Sequence, residues 1–184
     1  MSKPAVDSQR WVAMLRGINV GTANRISMAN LRNVFTELGF DNVETLLQSG
    51  NVIFDASTDR AKTAGAEVSG ALSSRFDVKS AVLVLSGAQV RAIADANPLT
   101  EVADDDSRLA ITFVDGDLPS VEVPDDDFLD PEVVRLGKSA LYQWSPDGLS
   151  KSKLKPAFWK TLGPSATARN WRTVQKIVAL LEAD

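Results

Sequence analysis

A chain of 184 residues, 44% of them hydrophobic, is long enough to bury about 70% of its unfolded surface as one domain or two small ones. It has no cysteine and no histidine, which excludes disulfides, thiolate nucleophiles, cysteine metal sites and the imidazole of serine-hydrolase triads, zinc hydrolases and histidine phosphotransfer. Its net charge of −4 conceals a segregation: acids accumulate from Glu101 to Glu132 around the lone base Arg108, whereas Ser150 to Lys176 holds seven cations and no acid.

The N-terminal stretch MSKPAVDSQR lacks the apolar core of a secretory signal, and no run approaches the roughly 18 to 20 apolar residues of a membrane helix. The expectation is a soluble, cytoplasmic protein with no membrane partner. Trp11 to Leu15 reads as a first strand, cut by Arg16. Met28, Leu31, Phe35 and Leu38 then recur at helical spacing, with Ser27 as N-cap and Gly39 as the C′ residue. The stretch NVETLLQSGNVIFDAS supplies two strands, and Gly50 fits the first central position of a two-residue type II′ hairpin loop. A helix over Asp59 to Phe76 and a strand over Ser80 to Ser86 complete a β-α-β-β-α-β order.

The remainder reads as a rougher second copy. A helix from Gly87 to Ala96 leads to a strand at Leu109 to Val114 and a hairpin turning at Gly137-Lys138. Helical segments follow around Ala157 to Leu162 and Ala168 to Leu181. Thr167 is the candidate N-cap of the last one, which places Arg169 and Asn170 in its first turn and aligns Trp171, Val174 and Leu181 on an apolar stripe. The expected class is α+β: two tandem ferredoxin-like subdomains, antiparallel sheets flanked by helices, over residues 1–86 and 87–184. The strand at 80–86 could close the first or open the second.

In a ferredoxin-like unit the first two strands run parallel with the third between them. The loop leaving strand one, LRGINVG, and the turn QSGN therefore meet at one end of the sheet. Arg16, Asn19, Gln48, Ser49 and Asn51 would converge there with the backbone of Gly17, Gly21 and Gly50 and the start of the helix after Ser27, a corner suited to phosphate or carboxylate. The spacing matches neither the P-loop nor the dinucleotide fingerprint, and the glycines are equally explained by a tight connection.

With LRGINVG, QSGNVIF and TARNWRTVQKIVALL together, the chain resembles the bacterial domain-of-unknown-function family 1697. The resemblance implies tandem ferredoxin-like subdomains and supplies no activity. Thr22 stands where the family commonly has another glycine, and Arg172 where it looks more like Asn-Trp-Asn. Arg169 and Asn170, in the third motif, complete the candidate ligand-binding set.

The C-terminal segment interleaves Trp159 and Trp171 with cations, and Lys153, Lys155, Lys160 and Arg172 are its candidate nucleic-acid contacts. The alternative places the tryptophans in the core and the cations on a solvated rim. Ser150-Lys151-Ser152-Lys153 matches S-x-x-K without the S-D-N and K-T-G that give it meaning. The aspartate triplets lack the alternation of a calcium loop, so neither a metal site nor a cofactor is expected. The function read from these residues is a binding module for a phosphorylated or nucleic-acid ligand. An enzyme acting on a small anionic substrate, with Tyr142, a lysine or a carboxylate moving protons, and a self-associating scaffold are the alternatives.

Overall fold

The first half of the chain forms β1 (Ser8–Leu15), α1 (Met28–Glu37), β2 (Asp41–Leu46), β3 (Asn51–Ser57), α2 (Thr58–Phe76), β4 (Val82–Ser86) and α3 (Gly87–Asp95). The computed structural model describes residues 8–183; residues 1–7, which belong to the segment read for a secretory signal, and Asp184 lie outside the described residues. β1 is the hub. It pairs antiparallel with β3, Val12 opposite Ile53, and with β4, Val12 opposite Leu85, giving the sheet order β2-β3-β1-β4.

Trp11, Ala13 and Leu15 point to one face of this sheet and pack with Leu31, Val34 and Phe35 of α1 and with Ala61, Ala64, Val68 and Leu72 of α2. Val12 and Met14 point to the other face and are also fully buried, so the run reads as continuously apolar rather than alternating. Phe35, Phe40 and Phe54 stack tilted or edge-on with centroids 4.8 to 5.7 Å apart, an arrangement that adds about 0.5–1.5 kcal/mol per pair beyond area burial. Arg60 covers this cluster, its guanidinium 4.3 Å from the Phe40 centroid and its Nη2 donating to Leu38 O at 2.8 Å, where α1 leaves a carbonyl unpaired.

The caps expected of α1 are present. Ser27 Oγ accepts from Asn30 N at 3.1 Å, and Gly39 takes φ +82° with its N–H on Thr36 O. Gly65 sits inside α2 for another reason: a Cβ there would lie 2.7 Å from Val82 O, so the glycine lets the helix lie close on β4.

The second sheet is built from β5 (Leu109–Phe113), β6 (Val133–Leu136), β7 (Ala140–Trp144) and β8 (Thr167–Asn170) in the order β6-β7-β5-β8, all antiparallel. β5 thus stands where β1 stands in the first sheet. Its helices are α4 (Asp126–Leu129) and α5 (Pro156–Thr161), and α6 (Trp171–Glu182) follows β8 without a loop. Each sheet with its helices is a ferredoxin-like arrangement. The chain divides into two compact units, one running to Val90 and resuming at Ile177, the other Arg91–Lys176. Among the described residues no helix is long and apolar enough to cross a membrane.

Three local expectations are corrected. The β2–β3 connection is a four-residue loop, Leu47 to Gly50, closed by the pair Leu46–Asn51; Gly50 is its last residue, not the first central position of a II′ turn. The Asn51 side chain donates to Leu46 O at 2.9 Å and Ser49 Oγ at 3.1 Å, and these bonds brace the longer loop. Thr167–Asn170 is a strand rather than a helical turn, because Ala110 to Phe113 of β5 need a partner along their second edge. Arg169 and Asn170 therefore precede α6, and Asn170, not Thr167, caps it: its Oδ1 accepts from Thr173 N at 2.9 Å.

Gly50→Ala tests the close packing at the first sheet's end. The residue has φ +78°, and an added Cβ would meet Ile18 Cδ1 at 2.5 Å and Leu15 Cβ at 3.0 Å. Overpacking and left-handed strain together should cost about 2–4 kcal/mol in urea denaturation followed by tryptophan fluorescence. Gly21→Ala, at φ +64° but with open space around it, should cost only the strain, about 1–2 kcal/mol.

Candidate functional site

The loop leaving β1 is pinned at its start. Arg16 N donates to Ala81 O at 2.9 Å, and Ser80 Oγ donates to Arg16 O at 2.9 Å. Gly17, Asn19, Gly21 and Asn24 all take positive φ, between 49° and 67°, so the chain coils tightly and returns to the start of α1. Asparagine tolerates this region better than other side-chain-bearing residues.

Asn19 closes the coil. Its N–H donates to Asn24 O, its Oδ1 accepts from Ile26 N at 2.9 Å, and its Nδ2 donates to Ile26 O at 3.0 Å and Gln48 O at 2.9 Å. The last bond crosses to the β2–β3 loop. Leu15 N donates to Gly50 O beside it, and Ile18, 2% exposed, fills the space under Gly50. The loop and the turn are thereby joined at one end of the sheet, as the strand order requires. Arg25 braces the outer side of the coil, its Nε and Nη2 both donating to Gly21 O at 3.0 and 2.7 Å.

A shallow concavity of about 290 Å³ opens here. Asn19 and Gln48 of the expected set line it, together with Arg25, Ile26, Ser27, Asn30 and Phe76. Among the described residues that line it there is no carboxylate. Arg16, Gly17 and Gly21 are exposed on the loop, and Ser49 is exposed on the turn, whereas Gly50 and Asn51 are buried beneath it. Arg25, Asn30 and Phe76 were not singled out from sequence. Arg25 lies two residues before the N-cap Ser27, a signal that was available; Phe76, at the end of α2, reaches the site through tertiary packing alone.

The remaining candidates belong to the second unit. Arg169 on β8 is 7% exposed and donates to Thr167 Oγ1 at 2.8 Å and Ala168 O at 2.9 Å; burial pushes its guanidinium pKa down to about 10. Asn170 caps α6. Lys153 Nζ donates to Phe128 O at 2.9 Å and Asp130 O at 2.6 Å, and Arg172 lies 3.8 Å from Asp105. The Ser107 hydroxyl and then its N–H hold the Asp105 carboxyl below the usual range, with Arg108 and Arg172 adding to this. Lys155 and Lys160 are exposed at either end of α5.

Tyr142, the one residue named individually for proton transfer, is enclosed. Tyr142 is 2% exposed, its hydroxyl donates to Ile93 O at 2.8 Å, and burial raises its pKa. The buried Glu132 accepts from Ser145 Oγ at 3.0 Å and Ser152 Oγ at 3.1 Å, while Gln143 donates to Ser152. This network ties the start of β6 to the segment after β7. Among the described residues no group of three or more Asp or Glu could hold a metal ion.

The model of the family described as "Protein of unknown function (DUF1697)" matches residues 8–142. No curated protein matches the chain. Among solved structures, the conserved bacterial protein SP0830 from Streptococcus pneumoniae is similar, with 25% identity and a TM-score of 0.70 over 95% of this chain and 99% of that one.

The Asn19 bonds predict a local effect. Asn19→Ala removes the acceptor of Ile26 N and both amide donors, at about 1 kcal/mol each. The stability of the first unit should fall by about 2–4 kcal/mol, and the Ile26 amide should exchange with solvent faster than in the native protein.

Proposed function

We propose that this chain, which belongs to the DUF1697 family, is a binding module for a small phosphorylated ligand held at the loop between β1 and α1. The observation that carries this reading is the make-up of the concavity: a guanidinium, side-chain amides and a hydroxyl, with no carboxylate among the described residues that line it. Arg25 presents a planar fork suited to phosphate oxygens, and its anchoring on Gly21 O limits the side-chain entropy lost on binding. Asn19 serves as the clasp that holds the coil closed. Gln48 and Asn30 supply neutral hydrogen-bonding groups around it, and Arg16 adds a second exposed cation on the same loop.

The same chemistry favours a small ligand over a nucleic-acid strand. Of the four cations named for nucleic-acid contact, Arg172 lies against Asp105 and Lys153 has two of its three N–H groups on carbonyls. For an enzyme, Tyr142 offers little support, since its hydroxyl is enclosed in its own hydrogen bond.

A thermal-shift panel of inorganic phosphate, a nucleoside monophosphate and a sugar phosphate at low salt tests this. A ligand at a hundred times its dissociation constant stabilises by about 2.7 kcal/mol, so at least one of the phosphorylated compounds should raise Tm. Arg25→Ala should remove that rise, while joint replacement of Lys153, Lys155 and Lys160 by Ala should leave it. Stabilisation by an oligonucleotide that the triple lysine variant loses would instead favour the nucleic-acid alternative, and no response to any of these probes would end the anion-binding reading.

A further inference from the structure

The second unit repeats the strand order of the first with far less helix. α1 and α2 have 10 and 19 residues, whereas α4 and α5, in the corresponding connections, have 4 and 6. At 1.5 Å per residue, α5 is only about 9 Å long against about 28 Å for α2. The first unit packs its two helices into one large apolar cluster. Two small clusters lie beside the second unit's short helices, Leu129, Val134, Leu141 and Leu154 in one and Val114, Leu162 and Ala166 in the other, bridged by Phe158 and Trp159.

A groove of about 720 Å³ remains between the segment from Ser120 to Phe128 and α5. Val121, Leu154 and Phe158 line it, together with Phe128, which is 54% exposed. Its size falls within the roughly 300–1,000 Å³ of small-molecule sites, which are characteristically apolar with a few placed polar groups.

Its lining carries charges of both signs. Lys153 and Lys155 flank the buried Leu154 on one segment, while Glu122 and Asp125 belong to the other. The Lys153 ammonium is set in place: two of its three N–H groups are taken by Phe128 O and Asp130 O, and it lies 5.9 Å from the Phe128 ring centroid. One donor is left to a ligand. The Asp125 side chain makes no capping bond to α4, and Glu122 is exposed on the rim.

We propose that this groove binds a small amphipathic carboxylate, its hydrocarbon or aryl body along Val121, Leu154, Phe158 and Phe128 and its head on Lys153 and Lys155. Glu122 and Asp125, also in the lining, penalise a doubly charged head more than a singly charged one. The site lies wholly within Arg91–Lys176 and does not depend on the anion corner of the first unit.

Octanoate, octylamine and octanol, titrated into the full chain and followed by amide NMR shifts and calorimetry, test it. Octanoate should shift the amides around Val121, Phe128, Leu154 and Phe158 and bind at least about tenfold more tightly than octylamine, a difference of about 1.4 kcal/mol. Replacing both Lys153 and Lys155 by Met keeps the apolar stems; it should remove the preference for octanoate and leave octanol binding unchanged. Ala157→Trp, at an exposed position in the lining, should block all three. The proposal is overturned if octanoate leaves these amides unmoved in the millimolar range, if octylamine binds as tightly as octanoate, or if the double lysine variant binds octanoate as the native protein does.

Discussion

The first unit depends on a single strand hydrogen-bonded along both edges and buried on both faces. With β3 on one side and β4 on the other, β1 has no freedom to end anywhere but at a crowded sheet end. The chain leaving it must turn back over the β2–β3 loop before α1 can begin. Residues 16 to 27 meet that constraint with four positive-φ residues and the bonds of Asn19. A loop made mainly of backbone polar groups is what remains where sheet and helix can no longer supply partners. The concavity beside it is thus a by-product of strand order before it is a site.

Much of this architecture was legible because the local signals agreed with the tertiary demand. Ser27 and Gly39 bracket α1 in sequence and in space, and the helical spacing of Leu31 and Phe35 is the spacing of their burial. β8 was not legible. Four residues, Thr167 to Asn170, adjoin a strongly amphipathic helix, so periodicity extends the helix backwards over them; the edge of β5 overrides that local preference. The β2–β3 loop misled in a similar way, since a glycine beside an asparagine suits a two-residue turn, and the longer loop rests on Asn51 bonds between residues that sequence spacing does not single out. At the candidate corner, the loop and turn could be brought together by topology alone. Which side chains face the opening could not, and Phe76 arrives from the far end of α2.

The two sheets also show how one topology can carry different interiors. The first unit encloses an aromatic cluster under two full helices. The second sets beside the buried apolar residues of β5 and β7 only short helices, together with a buried carboxylate bonded to serines and a guanidinium sunk into a strand. Buried polar groups of this kind are costly when any partner is lost, so they tolerate substitution less well than an apolar core does.

The placement of the last helix has a consequence for how the protein is made. The segment from Ile177 onward groups with the first unit, and Arg10 of β1 donates through Nη1 to Ala183 O at 2.8 Å. Domains generally fold in order as they emerge during synthesis. Here the N-terminal sheet can form early, but its unit stays incomplete until the segment from Ile177 onward has left the ribosome, and the second unit has the opportunity to fold first.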